Sequence, residues 1–182
     1  MKRSILFFTI MASTLFGQWS AVNVYPLSGQ MTGFHLSDSL NITAVYHGDS
    51  SQVIRSSDGG RKWSVIATTP TDYANVVSFV DKDTFFIAGS YPLAVYKTID
   101  GGLTWDSIAF PSGYVHVKGL QFLDSRNGYA LLYVSIGTFN VFMKTTDGGS
   151  NWSVLDSTIS QYRGFKFVNR DDGWIFGNQL LH

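Results

Sequence analysis

The chain has 182 residues, with 13 Lys and Arg balanced by 13 acidic residues, 15% aromatics, 18 glycines and no cysteine. Zero net charge implies no basic face for nucleic acid or an anionic membrane, and the lack of cysteine removes disulfides and a cysteine lipid anchor. All 13 acidic residues are Asp, so good helix formers are scarce, and the aromatic and glycine content predicts an all-β chain of short strands and tight turns.

Residues 1–17 read as a secretory signal. Lys2 and Arg3 precede the apolar run Ile5 to Ala12, and the small Ser13 and Thr14 follow it. That run is too short to span a bilayer, and cleavage after Gly17 would leave about 165 residues as one domain. A buried N-terminal strand is the alternative. Export to the periplasm, cell surface or exterior is the expectation, with no membrane span once the signal is removed.

Next, residues 18–27 carry Trp19-Ser20-Ala21-Val22. It matches Trp63-Ser64-Val65-Ile66, Trp105-Asp106-Ser107-Ile108 and Trp152-Ser153-Val154-Leu155. It therefore reads as an outer strand whose own unit is missing, of the kind that closes the last unit of a ring. Three four-stranded units follow, at about 31–70, 75–112 and 117–158, with a fourth, partial unit at 163–182 expected to hold two strands. The loops Gly48–Ser51, Ser90–Leu93 and Ser135–Asn140 share no motif.

The third and fourth strands of each full unit are joined by one motif. Ser56-Ser57-Asp58-Gly59-Gly60-Arg61-Lys62-Trp63 returns as Thr98 to Trp105 and again as Thr145 to Trp152, with aspartates at 58, 100 and 147. Asp-Gly between apolar runs is a hairpin signal, and paired glycines supply positive φ without steric cost. The Ser56, Thr98 and Thr145 hydroxyls and the Asp58, Asp100 and Asp147 carboxylates can accept the turn's N–H groups. Trp63, Trp105 and Trp152 read as apolar plugs under Gly60, Gly102 and Gly149. Burying an indole contributes up to roughly 4–6 kcal/mol, against about 1 kcal/mol for one turn hydrogen bond. The tryptophan anchors the turn and the aspartate shapes it.

Three copies at this period mark a propeller-type array. The motif resembles the Asp-box, or BNR, repeat of β-propellers, in which the box is structural and usually lies away from the active site. With the Asn-Gly and Asp-Gly turns at Asn127-Gly128 and Asp172-Gly173, the units also resemble the propellers related to the photosystem II assembly and stability factor. The fold expected is an incomplete β-propeller of about three and a half four-stranded blades. The resemblance implies a non-catalytic scaffold that binds another protein, without cofactor or metal. That family binds through a basic patch. Arg55, Lys97 and Lys144 precede the three boxes, but read as partners of nearby turn groups.

A glycoside hydrolase or glycan-binding module, sialidase-like or xyloglucanase-like, is the rival, since Asp-boxes occur in both enzymes. A sialidase site needs three clustered arginines and a Glu-activated tyrosine, and Glu is absent. Two aspartates could serve a conventional hydrolase, yet most Asp fall in the boxes or the first-hairpin turns, and Asp49, Asp72 and Asp156, less bound to the repeat, have no assignable partner. His35, His47, His116 and His182 lack zinc spacing. No residue is nominated as catalytic, cofactor-binding or metal-ligating.

Overall fold

The structure is a computed structural model and describes residues 7–11, 19–23, 29–90, 93–114, 116–134, 139–157, 162–177 and 180–181. No helix occurs among them. Three four-stranded antiparallel sheets follow in chain order, each a simple meander. They comprise β3 (Gln30–Leu36), β4 (Ile42–His47), β5 (Ser51–Ser56) and β6 (Ser64–Thr68); then β7 (Ala74–Phe79), β8 (Phe85–Ser90), β9 (Leu93–Thr98) and β10 (Asp106–Ala109); then β11 (His116–Phe122), β12 (Gly128–Val134), β13 (Phe139–Thr145) and β14 (Ser153–Asp156). A fourth sheet holds β15 (Gly164–Phe167), β16 (Gly173–Phe176) and the short β17 (Leu180–Leu181). It therefore has three strands, one more than expected. The chain is a partial β-propeller.

Two differences concern the start. Within the segment read as a signal, Phe7–Met11 is strand β1, and it pairs antiparallel with β2 (Trp19–Asn23). The expected closing strand thus pairs with β1 rather than with the fourth sheet. β1 offers it five register partners, whereas β17 is two residues long. In the third sheet, β13 begins inside the expected loop 135–140. Its Phe139 and Asn140 pair with Val134 and Tyr133, and buried Asn140 donates to the carbonyl of Tyr162. Residues 91–92 and 135–138, the centres of two expected loops, lie outside the described residues.

The sheets meet through their first strands, β3 against β7, β7 against β11 and β11 against β15, which places these strands nearest the axis. Residues alternating along each strand divide between the two faces, so every interior sheet packs on both sides. Val45 and Val53 lie against Phe85, Ile87 and Tyr96 between sheets one and two. Phe86, Val95, Leu120, Phe122 and Met143 fill the next interface, and Tyr129, Phe142, Phe165 and Phe167 the last.

Each first hairpin turns on one side chain. The Oδ1 atoms of Asp38, Asp81, Asp124 and Asn169 each accept two N–H groups of their own turn, at 2.7–2.9 Å. This is the local fold-back that makes Asp and Asn turn formers.

Candidate functional site

The described part has two polar ends. At one end stand the three box turns and the first-hairpin turns. Ser56, Thr98 and Thr145 do the same work in each box. Each hydroxyl accepts the N–H of its Asp at 3.3 Å and of the second Gly at 2.8–2.9 Å, then donates to the Asp Oδ1. Asp58, Asp100 and Asp147 accept the N–H of Lys62, Thr104 and Asn151 through the same oxygen. The Thr104 hydroxyl and the Asn151 amide also reach Oδ2. All six box glycines have positive φ, from +74° to +97°.

These bonds hold the carboxylates ionised. The Thr104 side chain and backbone N–H bring Asp100 to about 2, and those of Asn151 do the same for Asp147. The backbone N–H of Lys62 lowers Asp58. Burial pulls Asp124 upward, but the N–H groups of Arg126 and Asn127, the Asn127 amide and Arg170 outweigh it and leave it at about 2.

Trp63 and Trp105 donate their indole N–H to the Gly60 and Gly102 carbonyls at 2.9 and 3.0 Å. Trp152 differs, since its indole nitrogen is buried without a hydrogen bond. All three indoles are half-buried rather than engulfed. The full burial expected is not reached, because each ring sits beside its turn: Trp105 and Trp152 cover one edge of an inter-sheet core, Trp105 meeting Phe85 edge-on at 5.4 Å, and Trp63 packs on Ala44, Tyr46 and Ile54 of its own sheet.

The basic residue ahead of each box crosses to the next sheet. Arg55 donates to the Lys82 carbonyl and pairs with Asp83 at 2.9 Å; Lys97 reaches the Ser125 carbonyl and Lys144 the Arg170 carbonyl, each at 3.3 Å. Lys82, Ser125 and Arg170 occupy the same position of successive first hairpins. Lys97 and Lys144 also lie over Phe86 and Tyr129, which stack on Phe122 and Phe167 of the following sheet. These cations act between sheets.

The opposite end carries the Gly48–Ser50 turn and a cleft of about 180 Å³ between sheets one and two. Gln30, Met31, Thr32, His47, Tyr73, Ala74 and Asn75 line it. Buried Ser51 organises one wall: its hydroxyl contacts Nδ1 of His47 at 3.1 Å, the Asp72 carbonyl at 2.9 Å and the Ala74 N–H at 3.1 Å. The His47 and Tyr73 rings lie 4.4 Å apart. None of these residues belongs to a box, so the boxes give no pointer to them. His47 carries no sequence signal of this role, and Asp72 enters through its backbone carbonyl rather than its carboxylate.

Among the described residues, no three His or Asp side chains gather as a metal site would require. His35 packs on Phe79, Asp156 accepts from the Tyr162 hydroxyl at 3.3 Å, and His182 lies outside the described residues.

Against known proteins, a family model described as sortilin, neurotensin receptor 3, matches residues 51–180, more than half the chain. The chain belongs to the Sortilin-Vps10 family. No curated protein matches it in sequence. Among solved structures, this Sortilin-Vps10 chain is similar to YCF48 bound to D1 peptide, at TM-score 0.59 and 22% identity over 85% of this chain and 48% of that one. YCF48 from Cyanidioschyzon merolae gives TM-score 0.53 and 19% identity, over 87% and 53%. The GH74 xyloglucanase from Xanthomonas campestris gives 0.57 and 12%, over 93% and 29%. The Sortilin-Vps10 chain thus spans about half the length of the YCF48 structures. At these identities the likeness is one of fold.

Proposed function

We propose that the chain is part of a non-catalytic, exported Asp-box propeller that binds another protein and serves as an assembly scaffold. The observation that carries this reading is how the box end uses its charges. The three box carboxylates are satisfied inside their own turns, and Arg55, Lys97 and Lys144 are engaged with the neighbouring sheet. Neither group is poised as an acid–base pair. The similarity to YCF48, whose structure holds a D1 peptide, supports a protein as the ligand class. Export rests on Lys2, Arg3 and the apolar run behind them.

The experiment is a capture from the native envelope with the tagged chain, run beside a turnover screen on xyloglucan, other polysaccharides and sialosides. A partner recovered specifically, with no turnover, is the expected result. Clear hydrolysis would overturn the reading in favour of the glycosidase that the xyloglucanase likeness represents.

A further inference from the structure

The cleft lies where two β-bulges face each other across a sheet boundary. Register shifts between Met31 and Gly33 and between Ala74 and Val76 leave Thr32 and Asn75 outside their ladders, and a bulge re-aims the residue it frees. At about 180 Å³ the cleft is smaller than the roughly 300–1,000 Å³ of small-molecule and cofactor sites. A single side chain fills such a volume.

The chemistry of the wall follows from proton counting. The Ser51 hydroxyl has one proton, and the Asp72 carbonyl beside it can only accept. That proton goes to Asp72, so His47 must be the donor in its 3.1 Å contact with Ser51. A neutral His47 protonated on Nδ1 keeps Nε2 as an acceptor. Tyr73, 59% exposed, flanks the same histidine, and Met31 and Ala74 add apolar lining. The cleft therefore offers an aromatic and apolar bed beside an imidazole whose Nε2 is left as an acceptor. β3 and β7 are the first strands of their sheets and pack against each other, and the Ala74 N–H at the cleft is already given to Ser51, so recognition here rests on side chains.

Resting on the protein-binding reading above, we propose that this cleft receives a tyrosine or tryptophan side chain of the protein partner. The side chain lies against Tyr73, and its O–H or N–H donates to Nε2 of His47. Aromatic anchors of this kind dominate protein interfaces.

The test is an NMR titration of the isotope-labelled chain with p-cresol, toluene and methyl β-glucoside. p-Cresol should shift the amides of Thr32, His47, Ala74 and Asn75 and bind more tightly than toluene. Tyr73→Ala, at an exposed position, should keep the fold and weaken p-cresol about tenfold. His47→Phe should erase the preference for p-cresol over toluene. Equal binding of the two by the wild type, shifts with the glucoside alone, or no shift at the cleft would each overturn the proposal. A partner captured equally well by wild type and Tyr73→Ala would overturn the cleft and leave the scaffold standing. p-Cresol bound in the cleft with no partner recovered would keep the cleft's chemistry and sink the scaffold.

Discussion

In each box a hydroxyl and a carboxylate divide the turn's amides between them, while the indole covers the side. That division ranks substitutions. Trp105 is half-buried, so its area contributes about 2–3 kcal/mol, half the full-burial figure. Trp105→Ala should lower stability by about that much in urea melts, and Asp100→Asn should cost less, because an amide Oδ1 can still accept the Thr104 N–H. Acid gives a second measurement. Asp100 and Asp147 sit at about 2 against an ordinary 3.8; a lowered folded value means stability is complete above the ordinary value and lost as pH falls towards 2. The urea midpoint should drop between pH 5 and pH 2.5, and the Asp100→Asn, Asp147→Asn double variant should flatten that drop. Glycines separate strain from crowding. Gly113→Ala, at φ +99° with open space around it, should cost about 1–2 kcal/mol of backbone strain alone. Gly102→Ala adds a 2.7 Å approach to Val53 and should cost clearly more.

Strands and turns could be read from the residues because their signals are local: period-two apolar runs, and Asp-Gly or Asn-Gly where the chain reverses. The links between sheets could not. Arg55, Lys97 and Lys144 reach main-chain carbonyls 27, 28 and 26 residues ahead, on Lys82, Ser125 and Arg170, whose side chains take no part in the bond. A carbonyl acceptor leaves no residue signature. The same holds for Gln121, whose amide accepts from the Phe167 N–H at 2.9 Å and donates to its carbonyl at 2.7 Å, and for Ser78, which accepts from the Phe122 N–H. Gln121→Ala should cost about 1–3 kcal/mol and speed hydrogen exchange at the Phe167 amide above all. Lys97→Met, which keeps the stem on Phe86 and removes the ammonium's contacts with the Ser125 carbonyl and the Phe86 ring, should cost about 1 kcal/mol or less.

For the whole molecule, the box pointed to a propeller but not to Sortilin-Vps10. That membership is carried by the stretch 51–180 rather than by one motif. The cleft was equally hidden. It lies at the end where the units differ, and it forms only when β3, β4 and the entry to β7 come together. Interior sheets carry apolar residues on both faces, which predicts a gradient of protection. In native-state hydrogen exchange, β8 and β12 should be slowest and β16 faster, since Phe86, Ile87, Leu131 and Leu132 are wholly buried while Phe176 is 46% exposed.

The cations ahead of the boxes all lean the same way along the chain, each towards the hairpin that follows. At the second and third joints the fastener takes from the following sheet only a backbone oxygen, which any sequence supplies; at the first, the Asp83 carboxylate adds an ion pair. Tandem duplication of such a unit carries its fastener with it and leaves only the apolar faces to be matched. Growth of the array by gene duplication is built into the direction of three side chains.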